Sequence, residues 1–262
     1  MATIERITVF PVKGLDGTDL DFAEILSGGT LAHDREFALF DSEGEVINGK
    51  RTEAVHELRT AFDPDSARLS IGTPDGARQQ FVLDRQEECD RAEEWLADFF
   101  GVDLSLERDQ SLGYVDRRDM GPSVISTATI ETVASWFEEL STESARRRLR
   151  ANVEVSDVPP FWEDRFVGEN APAFEAGGIR FEGVTPCGRC VVPERDPDTG
   201  EPIAEFRERF VRKRRATFPD WADDGAFDHH YTVMLIARVP EDDRGKRLSV
   251  GDPVERIAPS NG

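Results

Sequence analysis

Lysine is nearly missing from this chain. Only Lys13, Lys50, Lys213 and Lys246 occur, and every other basic residue that counts at neutral pH is an arginine. Cysteine is as sparse: Cys89, Cys187 and Cys190 are an odd number, which excludes a fully paired disulfide framework and makes a reducing cytoplasm the expected setting. No apolar run approaches the roughly 20 residues that span a bilayer, so no membrane association is expected. The opening MATIERITVF alternates and carries charge, unlike the apolar centre of a signal peptide.

Acid is what the chain has in excess. Asp and Glu number 53 against 32 Lys plus Arg, a formal charge of −21. These acids are spread along a chain that is 38% apolar, so a folded protein with an acidic shell is expected, not a disordered tail. An acidic, lysine-poor surface fits a very salty cytoplasm. At about 1 M salt the Debye length falls to roughly 3 Å and self-repulsion is screened. The same charge argues against nucleic acid or an anionic membrane as partner.

The first 85 residues read as antiparallel strands and tight turns. TIERITVFPV alternates, REFALFDSEGEVIN predicts a hairpin turning at Gly44, and ARLSIGTPDGARQQFVL predicts another at Pro74-Asp75-Gly76. Cys89, Ala92, Leu96 and Phe99 then recur at helical spacing, which predicts a helix over about 87–100 ended by Gly101, with Cys89 as a plain core thiol. A second helix is predicted after Ser126 and Thr127, with Ile130, Val133, Phe137 and Leu140 inward. Short strands follow at NVEV and IRFEGV, then the basic, helix-like EFRERFVRKRRATF, and closing strands at YTVMLIARV and VERI. The pattern predicts a mostly β, α+β protein containing a barrel and a few packed helices, with no internal repeat.

One segment carries chemistry: VTPCGRCVVPERDPDTGE, residues 184–201. A zinc site wants four ligands, and the adjacent His229 and His230 point to opposite faces of an extended chain. A redox dithiol wants its first cysteine at a helix N-terminus, but Val191-Val192-Pro193 follows Cys190. An iron–sulfur cluster as a rule needs four thiolates. Two readings stay open: a buried structural cysteine, or one exposed thiolate at Cys190. In the second, Arg189 beside it favours the ionised form, and the strand entering an Asp196–Gly200 hairpin holds it.

This segment resembles the signature of MOSC domains, the molybdenum cofactor sulfurase C-terminal family, roughly C-x-R-C, β-formers, then D-P-x-T-G. VFPVKGLDG, HDREFALFDSEGEVINGKR, RLRANVEV and SVGDPVERI are similar to further family elements in the same order. The resemblance implies an N-terminal β-barrel-like region over 1–106 and a MOSC domain over 107–262. It implies that Cys190 ligates molybdenum, as in the amidoxime-reducing members, and that Lys13, Gly14, Arg35, Arg150, Gly188, Arg189 and Tyr231 contact the molybdopterin. Independently, arginine grips phosphate with a bidentate fork and lysine as a point charge. At family level pyridoxal phosphate binding is also implied.

The sequence departs from the pattern at Gly14, where the family has serine, and at Gly188, often serine in the reducers. It departs again at Pro193-Glu194-Arg195, which replaces a threonine-rich stretch and is expected near the metal's open face. The leading expectation is an oxidoreductase that reduces small N-hydroxylated or N-oxide substrates at a Cys190-bound molybdenum, with electrons from a separate protein. The alternative is a sulfur or cofactor carrier, charged at Cys190 by a sulfur donor. A third is a structural β protein with an incidental C-x-x-C. Cys187 is expected to tune Cys190 or to pack, and Trp162 to belong to the core.

Overall fold

The computed structural model describes residues 1–118 and 120–258. Within them fifteen strands and four α-helices follow one another. The strands of the first half are β1 (Thr3–Val9), β2 (Thr18–Leu20), β3 (Phe22–Glu24), β4 (Phe37–Asp41), β5 (Arg59–Asp63), β6 (Arg68–Gly72), β7 (Arg78–Val82) and, after helix α1 (Gln86–Phe100), β8 (Leu104–Arg108). The second half holds β9 (Ser123–Ser126), helices α2 (Thr127–Ser135) and α3 (Thr142–Leu149), β10 (Val153–Ser156), β11 (Ala173–Ala176) and β12 (Ile179–Gly188). Helix α4 (Phe206–Ala216), β13 (Thr232–Arg238), β14 (Arg247–Ser249) and β15 (Val254–Ile257) complete it.

An eight-stranded sheet in the order β15-β11-β12-β13-β9-β10-β1-β2 dominates. β1 shows how sequence pattern becomes register. Ile4, Ile7 and Val9 are all buried although Ile4 and Ile7 are three apart, because the register slips between Ile4 and Arg6 and returns the apolar set to one face. The sheet curls without the named strands closing a complete barrel. Backbone bonds from Ile4 to Asp252, Gly251 to Ile4 and Val254 to Ala2, at 2.8–2.9 Å, bring the run before β15 back to the free edge of β1. Aromatic rings fill the interior: Phe166, Phe174 and Phe181 are fully buried, and the last two stack at 5.0 Å. Each such side chain contributes about 1.5–3 kcal/mol by leaving water.

A second core lies under α1, β4–β8 and the turns between them, centred on Phe37, Leu39, Phe62, Phe81 and Leu96. The helix ends at Gly101, whose left-handed φ of 67° caps it as predicted. Both predicted turns are present at Gly44 and Gly76, although β4 takes β8 as its ladder partner and meets its own hairpin arm in a single bridge at Phe40 and Val46, flanked by the Asp41–Glu45 and Ile47–Leu39 backbone bonds. Although β1 and β2 belong to the first 106 residues, they pair into the large sheet of the second half.

α2 is shorter than predicted. Ser126 caps it by accepting from the Thr129 N–H, but it stops at Ser135, so Phe137 is buried from a turn and Leu140 only partly. α3 is a separate element, capped by Ser141. Because β9 and β10 are parallel, α2 and α3 form the crossover between them. That crossover returns the chain to the sheet at Arg150. Among the described residues no helix is long and apolar enough to cross a membrane.

Candidate functional site

The cysteine loop sits where β12 ends. β12 runs antiparallel to β13 with two register slips, the second between Pro186 and Gly188, and the chain leaves the sheet after Gly188. Cys190 therefore lies beyond the strand, just before a single 3-10 turn at Val192–Glu194, and not on a strand entering the hairpin as the sequence suggested. The Asp196–Gly200 turn does form: the Asp196 carboxylate accepts from the Asp198 and Thr199 N–H groups, and Arg195 bridges to Pro202. Tyr231, expected to touch a cofactor, instead braces the loop from behind. It is 3% exposed, and its hydroxyl donates to the Cys190 carbonyl and to Glu194, each at 3.2 Å. Burial and the Glu194 charge raise its pKa, so the phenol stays protonated.

Arg189 also departs from expectation. Its guanidinium donates to the Leu149 carbonyl at 2.9 Å, and to the Cys187 and Met234 sulfurs at 3.4 and 3.5 Å. Its hydrogen bonds therefore reach Cys187 and Met234, and none reaches the Cys190 sulfur among the described residues. Cys187 packs against the core formed by α2, α4 and β13. Cys190 is half-buried, and among the described residues its sulfur has no hydrogen bond; all three cysteines are free thiols. Cys89 is the plain core thiol predicted: it donates to the Leu83 carbonyl at 3.2 Å, and burial raises its pKa.

Four arginines arrive on α3 and its end. Arg146 grips Glu154 in a fork at 2.7 and 2.9 Å, and Arg147 grips Asp198 in another at 2.8 and 2.9 Å. Arg148, 4% exposed, holds Asp196 at 3.0 Å and the Pro193 carbonyl at 3.3 Å. Arg150, the left-handed cap at φ 56°, has no carboxylate and no side-chain hydrogen bond among the described residues. It lies 4.0 Å above the Phe10 ring, and its pKa is lowered to about 10, first by burial and then by the Arg35 charge. The Asp16 and Asp34 charges act the other way without outweighing burial, and neither carboxylate forms an ion pair with Arg150.

The opposing wall comes from the first half. Arg35, itself at φ 53°, stands 5.1 Å from the same Phe10 ring and pairs with the buried Asp34. Lys13 reaches Asp116 at 2.6 Å and Lys50 reaches its other oxygen at 3.2 Å. Burial raises the Asp116 pKa, but the two ammonium groups outweigh it and bring it down to about 2. Gly14 adopts φ 96°, and a Cβ there would lie 3.2 Å from the Asn48 Cα. The glycine is thus a backbone requirement, and not only a lost hydroxyl.

These residues line one cavity of about 570 Å³. Lys13, Gly14, Arg35, Arg150, Gly188, Arg189 and Cys190 all contribute to its wall, whereas Tyr231 does not. Of the Pro193-Glu194-Arg195 departure, Arg195 faces the cavity while Glu194 turns back to Tyr231. Trp162 is 7% exposed in the main core, as expected. The lining carries eleven Lys or Arg against five Asp or Glu, in a chain where acids outnumber bases by 21. Folding has gathered the scarce positive charge here. Buried donors are also left over: the Arg189 Nε and the His56 Nε2 have no partner among the described residues. Sequence reasoning missed Lys50, His56 and Asp116. Lysine scarcity was a signal for Lys50; nothing local marked the others.

Residues 1–104 match the MOSC N-terminal beta barrel domain, and residues 121–255 match the MOSC domain. The chain belongs to the MOSC family. Mitochondrial amidoxime-reducing component 1 of Danio rerio is 19% identical over 98% of this MOSC chain and 85% of its own length. Mitochondrial amidoxime reducing component 2 of Bos taurus is 20% identical over 98% of the chain and 84% of its own. Molybdenum cofactor sulfurase of Oryza sativa subsp. japonica is 23% identical over 82% of the chain, which spans only 32% of that protein. Among the described residues no group of three or more His, Cys, Asp or Glu side chains could hold a metal ion.

Proposed function

We propose that this protein binds the molybdenum cofactor in the basic cavity, with the Cys190 thiolate as the protein ligand to molybdenum, and reduces small N-hydroxylated or N-oxide substrates. The residues fit such a group. Its phosphate supplies the anion that Arg150 lacks, and Arg35 and Lys13 stand on the facing wall. Its dithiolene sulfurs supply the metal ligands that the chain does not assemble. The observation that carries the proposal is Arg150: a half-buried arginine with no ion pair among the described residues, in one cavity with Cys190, in a protein of charge −21.

When bound, the cofactor supplies the two-electron, oxygen-accepting step. The chain does the placing. Tyr231 fixes the Cys190 backbone through its carbonyl, so the sulfur meets the cavity at a set angle. Arg148 ties the Pro193–Asp196 loop to α3, and Arg189 ties the Cys187 side of the loop to the end of that helix. Gly14 keeps the Lys13 turn closed against Asn48. Asp116 neutralises Lys13 and Lys50 until an anion of higher charge displaces it. Reducing an N–OH group to N–H and water consumes two electrons and two protons. The electrons come from a separate carrier, because three cysteines do not build an iron–sulfur cluster as a rule.

Elemental analysis tests the proposal. Protein from its own host should carry molybdenum near one atom per chain, and Cys190→Ala should lose it while keeping the fold. A second reading, a persulfide carried on Cys190, is favoured by the half-exposed, unbonded thiol and by the similarity to the sulfurases. Cyanide-labile sulfur without molybdenum would establish that reading and overturn the first.

A further inference from the structure

We propose that the exposed basic face of α4 is the docking surface for an acidic one-electron carrier protein. This rests on the reductase reading above. α4 buries Phe206, Phe210 and Arg214 along one stripe, each 2% exposed or less. Arg207, Arg212, Lys213 and Arg215 face solvent, and none of them forms an ion pair among the described residues. Where acids outnumber bases by 21, four unpaired cations on one short helix concentrate charge that the rest of the surface dilutes.

The face borders a surface groove of about 870 Å³, lined by Arg207, Arg212, Arg215, His229, His230 and Tyr231, with Glu208 its one acid. Tyr231 joins this groove to the thiol loop, since its hydroxyl is hydrogen-bonded to the Cys190 carbonyl at 3.2 Å. The His229 ring lies beside Gly188, 3.5 Å from where a Cβ would stand. Groove and cavity share no lining residue. A protein seated on α4 thus comes within one side chain of Cys190 while resting on a groove that uses no residue of the cavity wall.

Charge complementarity selects the occupant. An acidic carrier is repelled by most of this surface and attracted here, which orients it. Nucleic acid is an extended polyanion that would run past the four cations onto the acidic shell, whereas a globular carrier can confine its contact to this one helix face. Each turnover takes two encounters: two carriers are oxidised by one electron each, two protons are taken up, the N–O bond breaks, an N–H bond forms and water leaves. At molar salt the Debye length is roughly 3 Å, so only contact pairs survive and the effect belongs in the affinity and not in long-range steering.

Calorimetric titration of the cofactor-loaded protein with an acidic [2Fe–2S] protein, at fixed KCl, tests this. The charge reversal R212E/K213E/R215E should raise Kd about ten-fold or more, while R212K/R215K stays within about three-fold of wild type. Turnover driven by reduced benzyl viologen, which needs no docking, should stay within about two-fold of wild type for both variants. An unchanged Kd in the reversal variant, no carrier binding by the wild type, or displacement of the carrier by a short DNA duplex would overturn the proposal. Wild type that binds the carrier through these residues but gives no viologen-driven reduction supports the surface and removes the reductase reading alone.

Discussion

Two arginine-rich runs, RRRLR at 146–150 and FRERFVRKRRA at 206–216, look alike in sequence and do opposite things in the fold. In the first, Arg146, Arg147 and Arg148 are consumed by Glu154, Asp198 and Asp196, and only Arg150 is left over, facing inward. In the second, Arg209 pairs with Glu139 and Arg214 is locked inside with Asp164, while the remainder faces outward. The lesson is that in an acidic protein an arginine acquires a role by the carboxylate it does not have. Three paired arginines build a wall, and Arg150 adds to that wall a cation with no ion pair among the described residues.

The comparison breaks most visibly at Arg214. It is fully buried, stacks 4.1 Å from the Phe161 ring, and neutralises a carboxylate that is 4% exposed. Arg214→Ala should cost about 3–5 kcal/mol, because Asp164 is stranded in a dry interior. Urea unfolding at constant KCl measures it. A loss below about 1 kcal/mol would mean that the pair contributes no more than an exposed one.

Next come Arg148 and Arg150, neighbours with contrary expectations. Arg148→Ala should lower stability by about 1–3 kcal/mol through the partners it leaves unbonded. Arg150→Met should leave the cofactor-free protein as stable or slightly firmer, since it removes a desolvated cation repelled by Arg35. It should nevertheless weaken retention of a phosphorylated ligand by about 1.5–3 kcal/mol. Cofactor-free melting curves beside phosphate or molybdenum content after dialysis separate the two residues.

The acidic shell as a whole gives a broader and shallower effect. The melting temperature should climb steadily between about 0.1 and 2 M KCl as the Debye length contracts. A flat response would count against an acidic shell that needs high salt. Asp116 is the smallest case. Its folded pKa lies below the unfolded value, so the stability it contributes is present above the ordinary carboxylate range and disappears as pH falls toward about 2. With the side chain 62% exposed, Asp116→Asn should flatten that loss by well under about 1 kcal/mol.

Much of this was readable before any coordinates. The period-two alternation of TIERITV, the turn residues at Gly44 and Gly76, and the helical spacing through Leu96 are local rules that the folded chain obeys. Spacing and resemblance also singled out Cys190, which lines the basic cavity. Two details differ from expectation for one reason. Tyr231 stands outside the cavity wall, and Arg189 lines it while bonding Cys187 and not the Cys190 sulfur, because sequence adjacency does not give side-chain direction. Direction was decided by β12 ending at Gly188, which turns Arg189 toward Leu149 and leaves Tyr231 behind the loop.

What the sequence determined by itself was the supply: an excess of acid, almost no lysine, one thiol followed by a tight turn, and alternating strands enough for a curled sheet. The tertiary structure alone decided which charges would meet. β1 pairs with β10, and α2 and α3 cross over between β9 and β10, so Arg150 returns to the sheet facing Phe10, Lys13 and Arg35, residues more than a hundred positions away. Electrostatic energy depends on distance and burial, and neither is written in the order of residues.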